Sequence, residues 1–173
     1  GGILLPMNVT VSGTVLAGEP TNHASGFTAV SPISSAINLT WNDNDGAQPA
    51  DGFLVLANTT GTFTAPVDGV AVANDANLGD GSGAMNVAHG VQALTWASLL
   101  AGTPYYFVIY PYTNAGALID YKTSPDAPTA TATTQAAALP LAAWTFDATP
   151  AAPSTPTSIA ANYGNQLTAM FYA

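Results

Sequence analysis

The sequence predicts an all-β chain: a two-sheet sandwich with additional strand arms at both ends. Three observations carry this. Short runs alternate apolar and polar residues with the period of two that sends successive side chains to opposite faces of a strand. Clusters of Gly, Pro, Asn and Asp separate these runs at the spacing of consecutive sheet strands. No segment shows a helical period with start and stop signals.

The elements follow in order. Residues 7–15, MNVTVSGTV, alternate strictly, with Met7, Val9, Val11 and Val15 on one side and Asn8, Thr10, Ser12 and Thr14 on the other. Such a strand is half-buried against something. Ala17-Gly18-Glu19-Pro20 and the polar residues after it break the pattern, so residues 1–21 are expected to be an arm and linker outside the domain. The domain is expected over 22–135. Phe27 and Val30 mark a first strand ending at Pro32, and Ile37, Leu39 and Trp41 share one face of a second over 35–42. After a turn cluster at 42–52, Phe53, Val55 and Ala57 alternate with Leu54 and Leu56. Val70 and Val72 suggest a short strand, and 74–83 reads as loop throughout. Val91, Leu94 and Trp96 lead into the strongest strand pattern, where Tyr105, Phe107 and Ile109 oppose Tyr106, Val108 and Tyr110. TATATT at 129–134 supplies a seventh strand of high β-propensity.

After Gln135 the chain changes character, and residues 136–173 are expected to form an extension. Trp144 and Phe146 share a strand face, Pro150, Pro153 and Pro156 make an extended linker, and Leu167, Ala169 and Phe171 share a face of a final strand. A lone strand is not stable in water, so both arms need a sheet to cover their apolar sides.

Composition excludes several classes of function. The 173 residues include one Lys, no Arg and ten acids, for a net charge of −9. Nucleic acid as a partner would require clustered cations to displace counterions from phosphates. No run of about 18 apolar residues is present to span a membrane. Charged residues make up only 6%, against the roughly one quarter or more of a typical soluble surface. A surface of Thr, Ser, Asn and Ala loses little when buried against another copy. The absence of Cys leaves the compartment open. No initiator Met or basic segment precedes Gly1, which leads us to expect a processed or excised chain. Three matches to the glycosylation sequon, at Asn8, Asn38 and Asn58, arise readily by chance in a chain this rich in Asn and Thr.

The domain resembles the fibronectin type III family. The resemblance rests on Trp41 in the second strand and on Leu99-x-x-Gly102-Thr103-x-Tyr105-x-Phe107-x-Ile109 before and along the sixth. It implies a structural core of Trp41, Leu99, Tyr105, Phe107 and Ile109, with Trp41 buried against both sheets. It also implies that the Tyr105 hydroxyl ties the corner loop to its strand by a hydrogen bond. The turns Asn44-Asp45-Gly46-Ala47, Pro66-Val67-Asp68-Gly69 and Asp80-Gly81-Ser82-Gly83 resemble a subgroup found in large secreted and surface-anchored bacterial proteins, as do segments 110–114 and 120–123. The resemblance spans about 115 of 173 residues. It implies an extracellular or cell-surface location, and no particular activity, since such modules ride on adhesins, fibres and hydrolases alike.

Candidate chemistry is sparse. The two histidines, His23 and His89, lie in no nucleophile motif, and the acids sit almost all in turns, where Asp caps its own backbone. No catalytic residue is assigned and no enzyme is expected. Asp75-x-Asn77-x-x-Asp80 offers oxygen ligands of the kind Ca²⁺ prefers, but it departs from the EF-hand spacing, and a plain Asx turn is the default. No other cofactor is implied. Tyr106, Tyr110 and Tyr112 offer a strip on which a glycan would stack, unless a neighbouring strand or subunit covers it. The leading expectation is a structural protomer whose arms join copies of itself into a fibre or sheath. Its contacts would be Val9, Val11 and Val15 in one arm and Trp144, Phe146, Leu167, Ala169 and Phe171 in the other. The alternative is a spacer or glycan- or adhesion-binding module of a larger secreted enzyme or adhesin.

Overall fold

The computed structural model describes residues 16–138. All eight arm residues expected to make assembly contacts lie outside the described residues. The described part belongs to the first of two units of the chain, Gly1–Leu139.

The fold is a two-sheet antiparallel sandwich. Its strands are β1 (Ser25–Ile33), β2 (Ala36–Asn42), β3 (Gly52–Asn58), β4 (Ser82–Ala88), β5 (Ala93–Ala97), β6 (Pro104–Thr113), β7 (Asp120–Tyr121) and β8 (Thr129–Thr133). The first sheet runs β1-β2-β5, and the second β4-β3-β6-β7 with β8 also on β6. Because β3 occupies one side of β6, β7 and β8 share the other. The closing strand is thus split, with β8 opposite Pro104–Val108 and β7 opposite Tyr112–Thr113.

Alternation along β2 and β6 builds the core between the sheets. Ile37, Leu39 and Trp41 meet Phe53, Val55, Tyr105, Phe107 and Ile109, all buried. Full burial of each such side chain is worth roughly 1.5–3 kcal/mol. Trp41 stands between the sheets as expected, its ring centroid 6.3 Å from Phe27 of β1 and 5.9 Å from Phe53 of β3. At the corner before β6, the backbone N–H of Leu100 donates to the Tyr105 hydroxyl at 3.0 Å. The expected bond ran from the hydroxyl; here the hydroxyl is the acceptor. Gly102 in that corner has φ +63°, a conformation that a side chain disfavours.

A second apolar cluster lies on the outer face of β3–β6. Leu54, Val108 and Tyr110 pack with Ile119, Tyr121 and Ala84, and Phe63 and Val72 lean on them. The segments around 63–72 and 115–121 therefore cover this face, which explains why both faces of β6 are buried. It also corrects two expectations. Val70 and Val72 form no strand; the Val72 N–H donates to the Tyr121 hydroxyl at 3.3 Å as part of this cover. The strand that follows β3 is instead β4, Ser82–Ala88, whose first two residues fall in the stretch expected as loop.

The domain's bonding begins earlier than residue 22. The Asn114 side chain bonds both the N–H and the carbonyl of Ala17, Thr113 Oγ1 donates to the Gly18 carbonyl, and the Thr21 N–H donates to the Gln48 carbonyl. Lys122 Nζ reaches Glu19 at 2.9 Å. Residues 17–21, expected as linker, are stitched onto the sandwich: Ala17 and Gly18 at the end of β6, Glu19 at Lys122 and Thr21 at the β2–β3 connection. Among the described residues no helix is long and apolar enough to cross a membrane.

Candidate functional site

The chemistry-bearing side chains fall into three places. At the end of the sandwich where β2 leaves and β5 begins, His89 Nε2–H donates to the Asp45 carboxylate at 2.9 Å and lies 3.5 Å from Asp43. Asp43 is buried and accepts the Gly90 N–H at 2.8 Å, with the Gln92 amide at 3.4 Å. Its bonds hold the β4–β5 turn against the end of β2. The hydrogen bond to Asp45 raises the His89 pKa above 6.5; desolvation of the ring is the next largest effect and opposes it, and the charges of Asp45, Asp43 and Asp51 add to the rise. Among the described residues no Ser, Thr or Cys side chain bonds the imidazole; its bond to Asp45 ties the β4–β5 turn to the loop after β2. Sequence reasoning placed His89 in a loop but had no signal for a partner 44 positions away. His23 is separate; its Nε2–H donates to the Pro125 carbonyl at 2.7 Å.

The proposed calcium ligands lie on the loop before β4. Asp75 Oδ1 accepts the Asn77 N–H at 2.9 Å, Asn77 Oδ1 accepts the Gly79 N–H at 2.9 Å, and Asp80 Oδ1 accepts the Ser82 N–H at 3.2 Å. Each side chain folds onto its own turn. Among the described residues no three His, Cys, Asp or Glu side chains gather as a metal site.

The tyrosine strip does not present itself to solvent as a unit. Tyr110 is only 6% exposed, and Tyr112 packs edge-on against Tyr121 at 5.7 Å. Burial raises the pKa of both Tyr110 and Tyr112. The covering is done by this chain's own loops rather than by a neighbour. Tyr106 remains at a shallow groove with Gly61, Phe63 and β8.

What the described domain does present is sheet edge. Of the eight strands only β7 contains a charged residue, Asp120. The β4 edge is covered from outside: Asp75 and Ala84 exchange backbone hydrogen bonds, and the Asn86 N–H donates to Asn74 Oδ1 at 2.7 Å. The β1 edge carries two register irregularities and Pro32, and its Ser31 and Pro32 are tied to Gln135. On β5 neither device is found.

Neither a family model nor a curated protein sequence matches the chain. Its fold is similar to solved fibronectin type III domains. With the fn3 domain of human contactin 1 the TM-score is 0.50 at 14% identity, over 79% of this chain and 93% of that one. The fn3 domain of the human collagen alpha-1(XX) chain gives 0.47 at 14% identity, over 77% and 99%. At such identity the contactin likeness bears on the fold alone: a fibronectin III-like sandwich.

Proposed function

We propose that the chain is a non-catalytic extracellular structural protein, a β-sandwich protomer that assembles into a fibre or sheath by exchange of terminal strands. The observation that carries this reading is the near-absence of charge from the strands, β7 excepted. Lysines and other charges on edge strands are the usual guard against pairing with another chain, and the chain's one Lys is bonded to Glu19 instead. Two arms with alternating apolar faces, Val9, Val11 and Val15 in one and Trp144, Phe146, Leu167, Ala169 and Phe171 in the other, supply strands in need of a sheet. Strand addition joins them through main-chain hydrogen bonds and pockets for alternate side chains. Repeated head to tail, the contact is heterologous and yields an open polymer unless the rotation closes a ring. His89 and the Asx turns, engaged in holding loops, agree with a role in association rather than catalysis.

The test is light scattering and electron microscopy of the purified full chain over a range of concentrations. Filaments that grow with concentration and persist in high salt are expected, since the joining edges are uncharged. A monomer at every concentration contradicts the reading.

A further inference from the structure

We infer that the open edge of β5 is the acceptor site, and that its occupant is the N-terminal arm, residues 7–11, of a second copy of this chain. The inference rests on the assembly reading above and specifies which edge and which arm meet. β5 pairs with β2 in five consecutive registered positions without a bulge, and Ala93–Ala97 holds no Pro, Gly or charge. The Trp41 N–H donates to the Gln92 carbonyl, which sets the phase of the ladder: Leu94 and Trp96 face β2. The N–H and C=O groups of Ala93, Thr95 and Ala97 therefore point outward, three residues at the two-residue repeat that an added strand requires.

Beside that edge lies a groove of about 420 Å³ between the sheets, lined by Ala76, Asn77, Met85, Thr95, Trp96 and Ala97 among others. Its floor is fixed, because Trp96 Nε1–H donates to the Ala76 carbonyl at 3.0 Å. A strand added to β5 would send alternate side chains into this groove and the others onto the outer face of the first sheet. That outer face is a polar ladder: Thr28 meets Thr40 at 2.9 Å, and Thr95 Oγ1 donates to Asn38 Oδ1 at 3.0 Å. The arm matches both sides. Met7, Val9 and Val11 are apolar and unbranched or β-branched, while Asn8 and Thr10 between them continue the Asn and Thr ladder. The C-terminal run Gln166–Ala173 matches less well, since Met170 and Tyr172 interrupt the polar face that Gln166 and Thr168 begin.

The experiment is disulfide trapping in the full chain, which has no Cys of its own. Directly opposed residues on paired strands lie within disulfide range. Chains carrying Thr95→Cys are mixed with chains carrying Asn8→Cys, Thr10→Cys or Ser12→Cys, and separately with chains carrying Val9→Cys. Cross-linked dimer is expected from at least one of the three polar-face positions and not from Val9→Cys, whose side chain would enter the groove. In parallel, Thr95→Pro removes the outward N–H together with the side-chain bond to Asn38, and Thr95→Lys guards the edge with charge; each is expected to lower the assembled fraction at least tenfold. Should the proline variant fail to fold, shown by altered tryptophan fluorescence, the lysine variant decides. Normal assembly of Thr95→Lys, or equal trapping at Val9 and Thr10, overturns the β5 assignment and leaves the assembly reading standing. A wild-type chain that stays monomeric overturns both.

Discussion

The Tyr105 hydroxyl accepts a hydrogen bond from the backbone N–H of Leu100 at 3.0 Å, closing the corner through which the chain leaves β5's sheet and enters β6. Thr134 works beside it: its Oγ1 accepts the Thr103 N–H at 2.9 Å and donates to the Leu100 carbonyl. The corner is thus bonded from β6 and from the residue just after β8. Tyr105→Phe keeps the buried ring and removes the acceptor alone. It is expected to lower unfolding free energy by about 1 kcal/mol, the typical net value of one such bond. Urea unfolding followed by tryptophan fluorescence measures this; an unchanged midpoint would show that the corner is held by packing instead.

Gly83 is the tightest point on β4. A Cβ there would lie 2.7 Å from Trp96 Cζ2, 2.9 Å from Leu78 Cδ2 and 2.9 Å from the Asp75 carbonyl oxygen. The indole cannot simply swing away while Nε1 holds the Ala76 carbonyl. Gly83→Ala is expected to cost roughly 1–3 kcal/mol, the range for overpacking, and to shift the tryptophan emission. Stability equal to the wild type would mean that the β4 cover over the core is loose.

His89 sets a pH dependence whose sign follows from its raised pKa. A group with a higher pKa folded than unfolded contributes stability that is fully present below the unfolded value, near 6.5, and is lost as pH rises through the folded value. The difference in melting temperature between wild type and His89→Ala should therefore be larger at pH 6 than at pH 8. Exposure of the imidazole makes the effect sensitive to salt. A difference independent of pH would assign His89 no role in clamping the β4–β5 turn.

The turn oxygens of Asp75, Asn77 and Asp80 already accept backbone N–H groups. Millimolar Ca²⁺ or a chelator is expected to leave the thermal melt where it is. A rise in melting temperature with Ca²⁺, abolished by Asp75→Asn, would instead assign calcium to this loop.

Much of the sandwich was legible where one face of a strand is buried and the other is not. Ile37, Leu39 and Trp41 alternate with polar residues because β2 faces the core on one side only. The corner was legible because Gly102 and Tyr105 answer specific needs, a positive φ and a hydroxyl over a loop N–H. β4 escaped because Ser82–Ala88 is built of small and polar residues, half-buried under a loop, and carries little alternation. Val70 and Val72 misled for the converse reason: Val72 is apolar because it leans on the Tyr121 cluster, not to join a sheet, and Val70 is exposed and meets Tyr121 only through its carbonyl. The burial of Tyr110 and the pairing of His89 with Asp45 depend on loops that meet only in the folded chain, and no local pattern announces either.

Residues 17–21 are clamped onto the sandwich. Lys122 is 12% exposed and bonded to Glu19, itself half in solvent. Such a pair is worth at most about 1 kcal/mol, so Lys122→Met should leave the global melt nearly unchanged while making the 17–21 segment easier to cleave. Limited proteolysis with a nonspecific protease checks this; an unchanged cleavage rate would show that Asn114 and Thr113 hold the segment without the ion pair.

Removal of residues 1–16 tests the assembly account most directly. The shortened chain keeps every described strand and every bond from Ala17 onward, so a folded sandwich is expected. Sedimentation velocity of the two chains at equal concentration should show large species for the full chain and a single monomer boundary for the shortened one. Filaments that form equally well without the arm would contradict the account.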